Sequence, residues 1–334
     1  MERSAIATQI EKQIWQTLTD GSPVVVTSHE RLDGDGIGAA LGLWHGLRDA
    51  GVSCTQSFDS PVPEVFRFLP GLEEQRSPEQ LPDRFHLAVV DCGSLDRVGP
   101  PAEHADRAIR TLNIDHHVTN DQFGDVNYVD REASSCGELV YRILQAGGVT
   151  LTPQIGECLY TAIVTDTGSF SYGNTTREAF EICARLVEAG ARPWELCERI
   201  FFSPPENVVR LKGEAIDSLR LDADGRLGTV AISNEMFRRT GTRSVDTQGF
   251  ADIPISVRGV EASALLKEIC ADSRPSYVKV SLRSRPGPDS VDVCAVAESF
   301  GGGGHRHAAG FEFEGALQEA RRVVTDVLTR ELDG

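Results

Sequence analysis

The sequence predicts an α/β protein with an N-terminal parallel-sheet domain, a helical connector and a smaller C-terminal domain of mixed α/β type. At 334 residues the chain is too long for one ordinary core. Short apolar strands alternate with helical segments through its first part, which is typical of a parallel sheet, and strands become more frequent after residue 227. We therefore expect domains at 1–190 and 223–334, joined by a connector at 191–222.

The elements of the first domain follow from apolar runs and their stop signals. The run VVVTS predicts a strand at 24–28, and the segment 36–51 has helical spacing and ends at a glycine. By the same criteria, further strands are predicted at 52–58, 86–92 and 110–117, and helices at 134–148, 153–166 and 176–190. The helix at 134–148 opens with the spacing of a capping box, Ser135 to Glu138.

The connector and the second domain show a different pattern. Helices are predicted at 193–200 and 205–220. Strands are predicted at 227–233, 261–270 and 277–284, and a helix from about 315 ends the chain.

Acidic and imidazole side chains follow several of the predicted strands. The segment SHERLDGD carries His29, Asp33 and Asp35, and the loop after a strand could direct all three into one cavity. Further candidates on other segments are Asp91, His116 and Asp166. Two divalent cations about 3.5–4 Å apart stabilise a hydroxide nucleophile and a phosphoryl oxygen, and they need such a mixed set of ligands. Carboxylate with imidazole suits manganese, iron, cobalt or zinc better than magnesium or calcium.

Each of these motifs has an ordinary structural interpretation. Asp33 to Gly36 could be a tight surface turn, because Asp and Gly tolerate the dihedral angles that turns require. The DHH tripeptide at 115–117 could be a solvated loop. The position of three clusters at three strand ends favours the metal site, since open α/β sheets bind ligands beyond the carboxyl ends of their strands.

A glycine run in the second domain, GGGGH at 301–305, allows two interpretations. Glycines let backbone N–H groups approach a phosphate closely, and the following HAAG could begin a helix whose N-terminus attracts anions. The run could instead be a flexible loop, and the residues alone favour the loop.

Composition restricts the partners. The formal charge of −17 and the lack of a Lys/Arg run disfavour long nucleic acids, which bind to basic stripes, but they permit a short substrate. No apolar run approaches the length of a membrane helix, and the N-terminus lacks the features of a signal peptide, so we expect a cytoplasmic protein without a membrane partner. The eight cysteines form no CxxC pair and are expected to be reduced thiols.

The motifs together resemble the DHH-type phosphoesterases that carry a C-terminal DHHA1 domain. The resemblance rests on SHERLDGD, IDHHVTNDQFGDVNYVD, TAIVTDTGSFSYGNTT and FGGGGHRHAAGF, and it covers nearly the whole chain. Within that family the chain is most similar to the bacterial nano-RNases. These degrade very short oligoribonucleotides and dephosphorylate 3′-phosphoadenosine 5′-phosphate (pAp).

The resemblance implies a ligand set and catalytic roles. One metal would be bound by His29, Asp33 and Asp91, and the other by Asp35, Asp91, His116 and Asp166, with Asp91 as the bridge. The catalytic residues would be Asp91 and His117, which faces the substrate phosphate, while Asp115 would orient a ligand histidine. The two ions would most commonly be Mn²⁺, with Mg²⁺, Co²⁺, Fe²⁺ or Zn²⁺ as alternatives. The chain departs from the family pattern at Leu32, Gly36 and Cys136, where proline, alanine and a small hydroxyl residue are usual.

The resemblance also implies substrate-binding residues in the second domain. His305, with Gly303 and Gly304 before it, would contact a terminal phosphate or base, and Arg283 would contact a phosphate. Arg258 and Lys279 are further candidates, and His307 receives no role.

The expected function is therefore hydrolysis of RNAs of two to five residues to mononucleotides, accompanied by pAp phosphatase activity. A phosphodiesterase acting on cyclic di-AMP or its linear product, a dedicated pAp phosphatase, and a nucleotide-binding sensor without catalysis are the alternatives. The expected partners are a short RNA or nucleotide, and a homodimer is open, since relatives of this type are often dimers.

Overall fold

The computed structural model describes residues 2–59, 62–270, 276–287 and 289–334, with side chains from residue 9 onward. The chain forms two compact units that divide between Phe202 and Ser203, inside the predicted connector. The α/β class predicted from the sequence is confirmed, with a parallel sheet in the first unit and a mixed sheet in the second. No helix in the described ranges is long and apolar enough to cross a membrane.

The first unit is built on a five-stranded parallel sheet. Its strands are β1 (Val24–Thr27), β2 (Cys54–Gln56), β3 (Phe85–Val90), β4 (Ala108–Asp115) and β5 (Val126–Val129), in the order β2-β1-β3-β4-β5. Every residue of β1 and β3 is buried, as expected for strands covered on both faces. Val24 and Val26 pack into one apolar cluster and Val25 into another, because successive side chains point to opposite faces.

Six helices accompany this sheet. They are α1 (Glu2–Leu18), α2 (Gly34–Asp49), α3 (Cys136–Ala146), α4 (Pro153–Asp166), α5 (Arg177–Glu188) and α6 (Pro193–Cys197). A π-helical turn at Glu198–Phe202 follows α6, and short 3-10 turns lie at Glu64–Phe66, Leu72–Glu74, Pro78–Gln80, Leu95–Arg97 and Pro100–Arg107.

Glycines bring α2 and α4 unusually close together. A Cβ on Gly38 would lie 2.5 Å from the carbonyl oxygen of Cys158 and 2.9 Å from the backbone nitrogen of Ala162. A Cβ on Gly34 or on Gly42, one turn to either side, would lie equally close to side chains of α4. The two helices therefore pack backbone against backbone, and this contact fixes the start of α2 relative to the end of α4.

The N-terminus of α3 is capped, although not by the predicted box. The Ser135 hydroxyl accepts a hydrogen bond from the Glu138 backbone N–H. The Glu138 carboxylate accepts from the backbone N–H and the hydroxyl of Ser134, whereas a capping box would place it on the N–H of Ser135. The reciprocal bond is thus displaced by one residue.

The second unit contains a six-stranded mixed sheet. Its strands are β6 (Arg220–Asp222), β7 (Leu227–Ile232), β8 (Ala262–Ile269), β9 (Tyr277–Ser284), β10 (Gly303–His305) and β11 (Ala308–Glu314), in the order β10-β11-β9-β8-β7-β6. Only the pair β7–β8 is parallel among the strand pairs described for this sheet. The helices are α7 (Glu206–Asp217), α8 (Asn234–Thr240), α9 (Asp252–Ile255), α10 (Val293–Glu298) and α11 (Leu317–Asp333), with 3-10 turns at Ala223–Gly225 and Ser244–Thr247.

This sheet is covered on both faces. Leu266 and Val280 pack with α10 and α11 in one apolar cluster, and Val230 and Leu265 pack with α7, α8 and α9 in another. The alternation of neighbours such as Leu265 and Leu266 between clusters follows from the twofold period of a strand.

The structure of the glycine run contradicts the predicted helix and, in part, the flexible loop. The predicted helix at HAAG is wrong, because Ala308 begins β11, which pairs antiparallel with β10 and β9. A flexible loop is wrong for the end of the run, since Gly303 to His305 form β10. Gly304 adopts a φ of +143°, and a Cβ there would lie 2.6 Å from the Ala308 carbonyl oxygen. The glycines therefore allow a tight hairpin to form.

Candidate metal centre

Three neighbouring strands of the first unit end beside the predicted ligands. His29 follows β1, Asp91 follows β3, and His116 follows β4, and these three strands are adjacent in the sheet. Their carboxyl ends lie at one edge because the strands are parallel. The start of α2 adds Asp33 and Asp35, and the last residue of α4 is Asp166.

The first group of side chains surrounds the ring of His29. Its Nε2 atom lies 3.7 Å from Asp33 Oδ1 and 3.5 Å from Asp91 Oδ2. Asp33 caps α2, since its Oδ1 atom accepts a hydrogen bond from the Gly36 backbone N–H at 3.0 Å. Burial alone would lower the pKa of His29, but the carboxylates of Asp33 and Asp91 outweigh it and raise this pKa to about 10.

The second group surrounds the ring of His116. Its Nε2 atom lies 3.7 Å from Asp35 Oδ2, 3.8 Å from Asp91 Oδ1 and 3.7 Å from Asp166 Oδ2. Such separations are too long for good hydrogen bonds. They suit atoms that share one ion, because ligands about 2.0–2.2 Å from a metal lie between 3 and 4 Å, roughly, from each other.

Asp91 belongs to both groups. Its Oδ2 atom faces His29 and its Oδ1 atom faces His116. The residue is buried, and its backbone has a φ of +58°, a left-handed conformation uncommon for a non-glycine residue. Strain of this kind costs about 1–3 kcal/mol and is often found at functional sites. The bend at the end of β3 thus places one carboxylate between two histidines.

Asp35 is held by the N-terminus of α3. Its two carboxylate oxygens accept hydrogen bonds from the backbone N–H groups of Cys136 at 2.7 Å and Gly137 at 2.9 Å. Burial, with the charges of Asp91 and Asp166, nevertheless raises the pKa of Asp35 well above its ordinary value. Several buried carboxylates close together require either protons or cations.

Asp115 contacts a different histidine from the one we expected. Its Oδ1 atom lies 2.8 Å from Nδ1 of His117, the predicted catalytic residue, whereas Nδ1 of His116 lies 3.2 Å from the Ala133 carbonyl oxygen. Burial would lower the pKa of His117, but Asp115 outweighs it and raises this pKa to about 9. Asp115 therefore contacts His117, and the expectation that it orients a histidine among the predicted metal ligands is wrong.

Two asparagines in this region were missed by the sequence analysis. Asn120 donates from Nδ2 to Asp115 Oδ2 at 2.6 Å and to the Cys92 carbonyl at 3.1 Å. Asn174 donates from Nδ2 to Asp166 Oδ2 at 3.2 Å and to the Ser134 carbonyl at 2.9 Å. Both residues lie in the segments that carry the resemblance, DHHVTN and TDTGSFSYGNTT, and that was the available signal.

Cys136 occupies the position at which a small hydroxyl residue is usual. Its Sγ atom lies 3.5 Å from Asp91 Oδ1. Burial and the neighbouring carboxylates raise the pKa of this thiol well above its ordinary value, so it is a neutral, weak donor to Asp91.

The predicted substrate residues of the second unit lie on the β10–β11–β9 part of its sheet. His305 pairs with Ala308, and Ala308 pairs with Arg283, so the two basic residues share one row and one face with a small residue between them. Gly303 and Gly304 precede His305 on β10.

The remaining basic residues are less suited to the same role. Lys279 is in register with Glu312. Arg283, one of the predicted substrate residues, has Asp252 Oδ1 3.5 Å from its Nε atom, so a substrate phosphate would share it with this carboxylate. Arg258 is exposed in a turn after α9. His307, which received no role, contacts the Ser284 hydroxyl through Nδ1 at 2.9 Å.

The fold and this centre define the class of protein. Residues 23–163 match the DHH family, N-terminal domain, and residues 229–330 match the DHHA1 domain. The chain belongs to the DHH family, as the resemblance implied. DHH phosphoesterases are metal-dependent, and the groups His29–Asp33–Asp91 and Asp35–Asp91–His116–Cys136 are each close enough to hold an ion.

Individual relatives resemble the chain over nearly its full length. It is 34% identical over 313 residues to the bifunctional oligoribonuclease and PAP phosphatase NrnA of Thermus thermophilus, with 93% of this chain and 90% of that protein covered. It is 25% identical over 324 residues to the protein of the same name from Bacillus subtilis, covering 96% of this chain and 98% of the relative.

Solved structures show the same architecture. An exopolyphosphatase-related protein from Bacteroides fragilis superposes with a TM-score of 0.83 at 26% identity, over 98% of both chains. RecJ from Thermus thermophilus, solved in complex with Mn²⁺, gives a TM-score of 0.55 at 15% identity over 97% of this chain and 55% of RecJ, which is a likeness of fold alone.

Proposed function

We propose that this protein is a metal-dependent phosphodiesterase that hydrolyses RNAs of two to five residues to mononucleotides and also removes a phosphate from pAp. The observation that carries the proposal is the position of Asp91, whose two carboxylate oxygens face two separate groups of ligands. A shared carboxylate is what a pair of divalent ions requires. The relatives named for oligoribonuclease and PAP phosphatase activity support the choice of substrates.

The proposed ligands divide between two ions. His29, Asp33 and Asp91 would hold one ion. Asp35, Asp91, His116 and Asp166 would hold the other. The residues fit such ions, because six side chains with donor atoms converge at distances too long for mutual hydrogen bonds. Two bound ions supply a hydroxide nucleophile at neutral pH and offset charge on the phosphoryl group. We propose Mn²⁺, since imidazole accompanies carboxylate in both groups.

His117 is proposed to donate a hydrogen bond to a phosphoryl oxygen. The Asp115 carboxylate holds its Nδ1 atom and, in the metal-free protein, raises its pKa to about 9, which favours the protonated ring. A cation in that position stabilises the charge that develops on phosphorus oxygens during hydrolysis. Asn120 supports this arrangement by holding the other oxygen of Asp115.

The second unit is proposed to bind the substrate. Arg283 and His305 lie in one row of the sheet on either side of Ala308, so a phosphate or base could contact both. Gly303 and Gly304 are partly exposed and have no side chains of their own, so a ligand could approach their backbone closely. The net charge of −17 favours short substrates, because a long polyanion would be repelled along its length.

The test is a time course with Mn²⁺ on 5′-labelled RNAs of two, five and twenty-four residues, beside pAp and cyclic di-AMP. Rapid loss of the dinucleotide and five-mer with the long RNA spared, together with turnover of pAp, is the expected result. Preference for cyclic di-AMP, or for pAp alone, would replace the proposed substrates with an alternative. Metal binding without any turnover would indicate a sensor.

Asp91→Ala is the matching variant. It removes the shared carboxylate and should abolish turnover, while circular dichroism should remain that of the wild type. Full turnover in a folded Asp91→Ala protein would contradict the two-ion assignment.

A further inference from the structure

Ser28 has a buried hydroxyl that the proposed mechanism does not use. The residue lies between β1 and His29, is 1% exposed, and its Oγ atom has no hydrogen-bond partner among the described residues. A buried hydroxyl without a partner costs about 1–3 kcal/mol, so such groups nearly always have one in the working protein.

The direction of this hydroxyl follows from its distances to a point on Gly36. An ideal Cβ on Gly36 would lie 2.6 Å from Ser28 Oγ, 3.1 Å from His29 Nε2 and 3.3 Å from Asp91 Oδ2. The seryl hydroxyl, the imidazole and the carboxylate thus lie around one point beside the start of α2, so the hydroxyl faces the His29–Asp33–Asp91 group.

We infer that Ser28 is a positioning residue of the His29–Asp33–Asp91 ion site. The Ser28 hydroxyl would form a hydrogen bond with a water molecule bound to the ion, which would satisfy the buried hydroxyl and orient that water. The inference rests on the proposed metal assignment and goes beyond it, because Ser28 is not a ligand in either proposed set.

The chemistry distinguishes this role from a structural one. Removal of a hydroxyl that has an acceptor within the fold would lower stability with or without metal. A hydroxyl whose partner arrives with the ion has no acceptor in the metal-free protein. Its removal should weaken ion binding and leave the metal-free protein unaffected, or slightly stabilised, because an unpaired polar group is lost.

The experiment measures Mn²⁺ binding to metal-free protein by electron paramagnetic resonance, which reports free Mn²⁺, together with melting temperatures without metal. The variant is Ser28→Ala. Ser263→Ala is the control, because it removes a buried hydroxyl that also has no partner among the described residues, from β8 of the second unit. Ser263→Ala should bind both ions like the wild type.

Ser28→Ala should lower the affinity for one of the two Mn²⁺ ions by about tenfold or more and leave the affinity for the second ion unchanged. A loss of this size is usual when a group that orients a metal ligand is removed.

The outcomes separate the inference from the proposed function. Wild-type Mn²⁺ affinity in Ser28→Ala, or a clear loss of melting temperature in metal-free Ser28→Ala, would each overturn the role of Ser28. In those cases loss of Mn²⁺ binding in Asp91→Ala would leave the metal assignment standing. A wild-type protein that binds no Mn²⁺ would overturn both.

Discussion

The close packing of α2 on α4 makes Gly38→Ala the sharpest test of how the fold positions the centre. The added Cβ would lie 2.5 Å from the Cys158 carbonyl oxygen and 2.9 Å from the Ala162 nitrogen, and both are backbone atoms that cannot rotate away. Contacts of this kind are normally above about 3.2 Å, so the helices must separate by roughly 0.7 Å or distort.

The expected magnitude is a balance of two effects. Alanine stabilises the interior of a helix by about 1 kcal/mol relative to glycine. Overpacking a well-filled contact costs about 1–3 kcal/mol, and a clash with backbone belongs at the upper end of that range. The net loss of unfolding free energy should be about 2 kcal/mol, which corresponds to a fall of roughly 4–8 °C in the melting temperature of a unit of this size.

The same shift should reach the metal centre. Asp35 lies on α2 three residues before Gly38, and Asp166 ends α4 four residues after Ala162. Ligand distances must hold to within about 0.2 Å, so a displacement of roughly 0.7 Å should weaken Mn²⁺ binding by about tenfold or more.

The assay is scanning calorimetry with and without Mn²⁺, and Gly213→Ala is the matched control. Gly213 lies in the exposed interior of α7, and a Cβ there would meet nothing within 4 Å. Gly213→Ala should therefore increase the free energy of unfolding of the second unit by about 1 kcal/mol and raise its melting temperature by a few degrees. If Gly38→Ala were stabilised as much as Gly213→Ala, the backbone contact between α2 and α4 would be refuted.

Three further predictions concern charge and the hairpin. Burial, with Asp91 and Asp33, raises the pKa of Asp166 to about 6, above its ordinary 3.8. In the metal-free protein Asp166 should therefore contribute a loss of up to about 3 kcal/mol of stability as the pH rises from about 4 to about 6. Above pH 6 Asp166→Asn should melt higher than the wild type without metal and lower with Mn²⁺, and equal pH profiles of the two proteins would contradict this. Asp115→Asn should lower the pKa of His117 in the metal-free protein from about 9 toward its ordinary 6.5, as measured by NMR titration of the ring, and an unmoved pKa would exclude Asp115 as the cause of the raised value. Gly302→Ala would place a methyl group against the Gly310 carbonyl of the hairpin, so it should reduce affinity for dinucleotide while Mn²⁺ binding stays unchanged, and unaltered dinucleotide affinity would show that the hairpin does not bind substrate.

The parallel sheet of the first unit could be predicted because its signals are local. Fully apolar strands such as β3 and the glycine stop after α2 are visible in short windows of sequence. The hairpin of the second unit could not be predicted in this way. Its glycines are compatible with a loop, and only pairing of β11 with β9, far away in the chain, makes the run a strand.

The candidate site shows the same division. The residue types and their places after strands are in the sequence, so His29, Asp91 and His116 could be selected from the sequence alone. The contacts between these side chains could not be predicted, because Asp115 is next to His116 and two residues from His117 and could contact either. Asp115 contacts His117, because the chain turns after β4 and directs the His116 ring toward Asp91.

Periodicity and residue identity were enough to define the α/β class, the two domains and the chemical types at the strand ends, because these properties are carried by short stretches of chain. Tertiary structure set which oxygen of Asp91 faces which histidine. It also set which asparagines hold Asp115 and Asp166, and it placed the Ser28 hydroxyl beside Gly36. Hydrogen bonds and metal ligation depend on distances of a few tenths of an ångström between segments far apart in the chain, and only the packing of helices and strands sets those distances.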